Sequence, residues 1–390
     1  MHYGLDCFNG NRSPTYSAMK ILITGGLGFI GTALARRLIE SGHEVVLVDN
    51  LSVQIHGALP LIAAPANAKV VRLDIRQLAE RFELLEGCNV VYHLAAETGT
   101  AQSMYRIAEY VSVNELGTAA LLEAMRKCSN RPKHVILASS RSVYGEGAYE
   151  SLAAPGLIVQ PQARSKEQLM TGQWDHIDSA GQPLRAIPTP EKLAFAPGSV
   201  YASTKASQEL LLRSASEALG FRTTIFRFQN VYGEGQSLQN PYTGIISIFF
   251  NRARQGLEIA IYEDGLESRD FVHVSDVVAA LAMSLEADIP SGQVINLGAG
   301  EGTSVMVLAK ELLVASGCQG AVRVTGQFRL GDIRHCYADL AIARRLLGYS
   351  PKVSLPDGLA RFCRWASGQP FHEDRLEQAT EELRKQGLTN

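Results

Sequence analysis

Tyr201-Ala-Ser-Thr-Lys205 sets a phenol and an ammonium four residues apart, a spacing that puts both on one face of a helix. A phenol in water gives up its proton only near pH 10, and a neighbouring cation favours the phenolate. Such a pair can exchange a proton with a substrate hydroxyl at neutral pH. Ser140, in Ser139-Ser-Arg-Ser-Val-Tyr-Gly145, closes an apolar strand pattern and offers a hydroxyl to the same reacting oxygen. Tyr16 and Lys20 repeat the spacing, but they straddle the unpatterned start of the chain and its first strand, so that copy is set aside.

A second cluster shows what stands beside the phenol. Lys20-Ile-Leu-Ile-Thr-Gly-Gly-Leu-Gly-Phe-Ile-Gly31 is an apolar run, then glycines at 25, 28 and 31, then a helical pattern. Gly25 permits a tight turn, Gly28 lets the backbone approach a pyrophosphate, and Gly31 lets the helix pack closely on its strand. The helix start offers unpaired N–H groups to the phosphates. Glu44-Val-Val-Leu-Val-Asp49 then ends a second strand in a carboxylate, placed to bind the adenosine ribose and to repel a 2′-phosphate. The reading is NAD rather than NADP.

Positioning these groups requires a sheet whose strands end side by side. Lys69–Asp74, Asn89–Leu94, His134–Ala138 and Thr223–Phe228 read as further short strands, separated by helical patterns at Val113–Met125 and Val200–Leu219. That alternation predicts an α/β fold, a Rossmann-type doubly wound parallel sheet, with ligands beyond the strands' carboxyl ends. Residues 19–230 form the NAD-binding domain on this reading. Residues 147–198, with six prolines, interrupt it as an insertion: a lid, an oligomer contact or a surface excursion. Residues 231–371 read mainly as a smaller C-terminal α+β substrate lobe, some segments of which return to the first domain. The polar tail 372–390 reads as a solvated helix or partly disordered, and residues 1–18 as a disordered leader or start-site artefact.

The 390 residues suffice for a large core, with 46% apolar residues and a net charge of −2. No basic run suggests nucleic acid, no long apolar run suggests a membrane, and six scattered cysteines suggest neither structural zinc nor disulfides. A cytoplasmic, reducing setting and no metal are expected.

Taken together, Thr-Gly-Gly-x-Gly-x-x-Gly, Asp49, His93-Leu-Ala-Ala96, Ser140 with Val143-Tyr-Gly145, Tyr201-x-x-x-Lys205, Arg227-x-x-Asn230-Val-Tyr-Gly233 and Arg269-Asp-Phe-Val-His273 resemble the extended short-chain dehydrogenase/reductase family over residues 19–368. The resemblance implies a homodimeric enzyme that acts on a nucleotide-diphosphate sugar with bound NAD. It makes Tyr201 base and acid, has Lys205 bind the nicotinamide ribose and lower the phenol's pKa, and has Ser140 hold the sugar hydroxyl. It assigns the cofactor to Gly25, Gly28, Phe29, Ile30, Gly31, Asp49, Asn50, Asp74, Ile75, Leu94, Ala95, Ala96 and Asn114, with Tyr201 and Lys205. Substrate contacts are expected from Ser140, Arg141, Ser142, Asn230, Asn240, Arg269 and Arg334, the arginines on the diphosphate.

Dehydratases and decarboxylases of that family resemble one another in carrying acidic residues just after the serine, and eliminating water needs such an acid. Here Arg141 and Ser142 stand there, which leaves epimerisation, or simple reduction or oxidation, at carbon 4. A narrower resemblance, through Gln102-Ser-Met-Tyr105, Pro188-Thr-Pro-Glu191, Asn240-Pro-Tyr-Thr-Gly244 and Gly331-Asp-Ile-Arg-His-Cys-Tyr-Ala-Asp339, is to the bacterial dTDP-L-rhamnose 4-epimerases. It implies interconversion of dTDP-L-rhamnose and dTDP-6-deoxy-L-talose through a 4-keto sugar. A 4-keto-6-deoxyhexose reductase and a UDP-hexose 4-epimerase are the alternatives.

Overall fold

The computed structural model describes residues 18–57, 63–240, 242, 244–370 and 376–389; all but the last residue of the expected leader lies outside them. Seven strands form one sheet: β1 (Lys20–Thr24), β2 (Glu44–Asp49), β3 (Lys69–Arg72), β4 (Val90–His93), β5 (His134–Ser140), β6 (Arg222–Phe228) and β7 (Gln293–Leu297). Their spatial order is β7-β6-β5-β4-β1-β2-β3 and every pairing is parallel. The chain steps from β1 out to β3, then crosses back to β4 and proceeds the other way. A crevice therefore opens beyond the ends of β1 and β4, where ligands bind in such sheets.

Helices cover both faces, which is why runs such as Ile21-Leu-Ile23 and Val135-Ile-Leu137 are apolar at every residue. The helix Phe29–Glu40 packs Leu34, Ala35 and Leu38 on one face, with Val277 and Leu281 of the helix Val274–Met283. On the other face lie Leu121 and Met125 of the helix Gly117–Lys127 and Leu212 of the helix Val200–Leu219. A π-helical stretch, Val111–Leu116, leads into the former.

The sequence pattern assigned six strands to the sheet and placed the short strands after residue 230 in the lobe. One of these, Gln293–Leu297, returns to the sheet beside β6. The lobe gathers a separate core from the helices Ile245–Arg254, Val305–Ser316 and Leu355–Ser367, with Phe250, Leu308, Leu312 and Phe362 inside. The third helix was not expected; Ser354, whose side chain accepts from the Asp357 N–H, and Pro356 in its first turn mark its start.

The insertion is built rather than loose. Strands Ala154–Val159, Ala148–Ser151 and Leu184–Ile187 pair antiparallel in that order. Buried ion pairs tie the segment to the C-terminal lobe. Arg164 meets Glu263 at 2.7 Å and donates to the Asp332 carbonyl at 2.8 Å. Glu146 accepts from the Arg334 backbone N–H at 2.7 Å and lies 3.1 Å from His176. These contacts anchor the segment to the lobe. In the described part of the tail, 376–389, a helix runs from Leu376 to Lys385, Leu383 is buried, and Glu382 accepts hydrogen bonds from the hydroxyls of Tyr105 and Tyr242.

Candidate active site

One large cavity, of ≈ 500 Å³, occupies the crevice and runs from the glycine turn past Ser140 and Tyr201 to the lobe. Tyr201 and Lys205 stand in the first turns of the helix Val200–Leu219, which Ser199 caps by accepting from the Ala202 N–H. The Tyr201 N–H donates to Ser103 Oγ at 3.0 Å. Residues 201, 205, 208, 209 and 212 form one helical stripe that faces the sheet. Lys205 Nζ donates to the Ala138 carbonyl at 2.8 Å. Gln208 donates to Thr118 at 2.8 Å beside His93, whose ring bonds Thr24 at 2.8 Å. Glu209 holds Arg227 through two contacts, at 2.9 and 2.8 Å, and accepts from Ser139. This buried polar row fixes the helix against the ends of β1, β4, β5 and β6.

Burial pushes the Tyr201 phenol up, while a hydrogen bond from Ser140 and the charge of Arg141 pull it down, leaving it above its ordinary value. Lys205 was expected to be the depressing cation, but the protein's own contributions come from Ser140 and Arg141. Burial brings Lys205 itself down to about 7, against the opposing pull of Glu209. Lys205 is thus poised to change charge when a charged group binds beside it, and a cation bound beside Tyr201 would favour its phenolate.

The cofactor end fits a dinucleotide. Gly25, at φ +65°, sits so close to the exit of β4 that a Cβ would meet Ala95 N at 2.8 Å, and a Cβ on Gly31 would meet the Gly25 carbonyl at 2.4 Å. The helix Phe29–Glu40 begins without a side-chain cap or an acidic first turn, so its leading amides remain available to phosphate. Asp49 faces the same cavity. Burial pushes its carboxyl up, but hydrogen bonds from His56 and from the Leu51 and Leu27 amides outweigh that and hold it ionised. Phe29, Ile30, Asn50, Ile75, Leu94, Ala95 and Ala96 line the cavity as expected, and so do Ser140, Arg141, Ser142 and Asn230.

Five expected contacts lie elsewhere. Asn114 spends its amide on the Glu97 backbone and on Thr204, so it braces the loop after β4 against the catalytic helix. Asp74 is not among the lining residues and is held by the Arg76 guanidinium, which draws its pKa down to about 2. Asn240 is buried, accepts from the Tyr242 N–H and does not line the cavity. Arg269 directs its guanidinium at the carbonyls of Ser268, Ile333 and Arg334. Arg334 is 1% exposed and bound to Asp175 and Asp264 near Glu263 and Glu267. A phosphate-binding arginine needs free donors aimed into the cavity; Arg334 spends its donors on carboxylates, Arg269 commits three of its five to backbone carbonyls, and neither lines the cavity. Conversely, Gln229, Gln236, Ser237 and Tyr242 line the cavity without having been expected there; Gln229 sat unremarked inside the Arg227-x-x-Asn230 pattern.

A dinucleotide turn, an acidic strand end and a tyrosine–lysine–serine group around one crevice define an enzyme that oxidises or reduces a substrate alcohol. Comparison with known proteins narrows this. Residues 21–166 and 177–298 match the model of the NAD dependent epimerase/dehydratase family. The chain is 39% identical over 349 residues to a dTDP-L-rhamnose 4-epimerase of Burkholderia thailandensis, covering 89% of this chain and 94% of that one. Its fold is similar to that of UDP-glucose 4-epimerase from Thermotoga maritima, solved with UDP-glucose (TM-score 0.72, 30% identity, 90% of this chain and 99% of that chain). It is also similar to a UDP-glucuronic acid 4-epimerase from Bacillus cereus, solved with a fluorinated UDP-sugar and NAD (TM-score 0.70, 27% identity, 90% and 99%). The chain belongs to the NAD dependent epimerase/dehydratase family. It is an NAD-dependent nucleotide-sugar epimerase.

Proposed function

We propose that the protein is a 4-epimerase of a dTDP-6-deoxy-L-hexose, interconverting dTDP-L-rhamnose and dTDP-6-deoxy-L-talose. The observation that carries the reading is the reacting end of the cavity, where Ser140 and Tyr201 adjoin and the two residues directly after Ser140 are Arg141 and Ser142 rather than the carboxylates that protonate a leaving hydroxyl. The Burkholderia relative supports the choice of sugar.

NAD, when bound, supplies the acceptor and donor of hydride at carbon 4. The glycine turn and Asp49 hold its pyrophosphate and adenosine ribose, and Lys205 holds the nicotinamide ribose. Tyr201 takes the proton of the 4-hydroxyl and later returns it, and Ser140 holds the same oxygen in line with the phenol. Because Tyr201 and Lys205 share one rigid helix, proton acceptor and cofactor anchor keep a fixed separation. A second copy of the chain is expected to cover Ile107, Val111, Leu116 and Leu210, which are exposed apolar residues on the segments 105–127 and 200–219.

Incubating the purified protein with dTDP-L-rhamnose, without added reductant, tests this. An isomer should accumulate with no net change in NADH. Turnover only with a 4-keto sugar and NAD(P)H would mean a reductase and end the proposal.

A further inference from the structure

β5 and β6 are adjacent, and their register sets Ser140 opposite Phe228. The residues that follow, Arg141 on one strand and Gln229 on the other, therefore leave the sheet at the same level, and both line the cavity beside Tyr201. Neither side chain is committed to a hydrogen bond or ion pair among the described residues.

Gln229 is 5% exposed, yet its Oε1 and Nε2 have no hydrogen-bond partner among the described residues. Its direction is set by packing. The backbone N–H donates to the Leu297 carbonyl at 2.9 Å, and a Cβ on Gly298 would come within 2.7 Å of the Gln229 Cγ. A buried amide with nothing to bond is a standing cost to the fold, and it persists where a ligand completes it. Arg141, half-buried, makes no hydrogen bond or ion pair with any described residue. Burial first, and then the neighbouring Arg269 cation, hold the Arg141 pKa below its ordinary value, against the weaker opposing pull of Cys336 and Asp332.

The chemistry of the two side chains describes their ligand. A carboxamide presents one acceptor and two donors in a plane, the complement of two adjacent hydroxyls, each of which donates and accepts. A guanidinium only donates and suits a lone-pair oxygen. Thymine or uracil would also pair with an amide, but Gln229 adjoins Ser140 and Tyr201, the end where the sugar reacts, and the diphosphate keeps the base away from it. We propose that Gln229 and Arg141 read the hexose: the Gln229 amide bridges the 2- and 3-hydroxyls, and Arg141 donates to an oxygen of the same sugar. The assignment rests on the reading of Tyr201 as acting at carbon 4 of a nucleotide sugar.

Calorimetric titration of the NAD-loaded protein with dTDP, dTDP-L-rhamnose and UDP-glucose tests it. In Gln229→Leu and Arg141→Met, affinity for the nucleotide sugar should fall roughly 10- to 100-fold, while affinity for dTDP stays within about 2-fold. A merely structural residue would weaken both ligands alike. If Gln229→Leu loses NAD, Gln229→Met keeps the stem and is judged by the same ratio. Unchanged binding of the sugar nucleotide, or an equal loss for dTDP, overturns the proposal. If the unaltered protein gains affinity from glucose but none from rhamnose, the substrate reading fails alone, and the UDP-glucose ratio decides the role of Gln229.

Discussion

Replacing Glu209 by glutamine should show how much of the site's rigidity rests on a single buried charge. Glu209 is 0% exposed and Arg227 3%; the carboxylate takes the guanidinium at 2.9 and 2.8 Å. The guanidinium in turn lies 4.6 Å from the Tyr144 ring centroid and 5.1 Å from that of Phe195. In Glu209→Gln one carboxylate oxygen becomes an NH2 that faces the donors of Arg227, and a buried cation is left without a counter-charge. Breaking such a pair from one side costs about 3–5 kcal/mol. An unfolding entropy of about 2.1 cal/mol/K per residue gives roughly 0.8 kcal/mol/K for this chain, so the melting temperature should drop by roughly 4–6 °C. Thermal unfolding at saturating NAD measures it, with Arg227→Met and the double variant completing a cycle. The double variant should recover much of the loss, because apolar or neutral replacement of both partners removes the stranded charge. A single-variant shift under about 1 °C, or strict additivity, would refute the argument that the pair is a coupled, desolvated unit.

Arg334→Leu should lower stability by about 3 kcal/mol or more, since Glu263 and Glu267 stay buried with one cation fewer. Affinity for dTDP should be nearly unchanged, and a selective loss of nucleotide binding would restore the arginine to the phosphate site. Gly31→Ala should strip NAD from the purified protein, because its Cβ has only 2.4 Å to the Gly25 carbonyl; absorbance of the denatured extract measures the cofactor. Glu234 is held by His273 and Arg361, which draw its carboxyl down to about 2 from 4.5. A depressed folded-state pKa gives stability that is complete above about 4.5 and is lost as the pH falls toward 2. Glu234→Gln should flatten the acid limb of a chemical-denaturation series across that window, and an unaltered limb would count against it.

The reacting group was legible because its signals are local. Four-residue spacing places Tyr201 with Lys205, glycine spacing shapes the phosphate turn, and a strand-end position locates Ser140 and Asp49. The arginines were not. Nothing within a few residues of Arg334 shows that Asp175 will arrive from the insertion at 2.7 Å, and a guanidinium suits a carboxylate as well as a phosphate. Gln229 escaped for a related reason: its importance lies in what it lacks, a partner, and only the folded surroundings show that. The β7 strand belongs to the sheet through a contact made some 65 residues beyond β6, with no local marker to separate it from the lobe's short strands.

The ionic lattice under the insertion also bears on recombination between relatives. Glu146, Arg164, Asp175 and His176 come from one stretch, Glu263, Asp264 and Glu267 from a second and Arg334 from a third, and the ion pairs among them join all three. A chimaera that imports the insertion without the other two stretches strands Arg164 and Glu146, both nearly fully buried, without their partners Glu263 and Arg334. The three behave as one unit of inheritance, and crossover points for domain shuffling belong outside all of them.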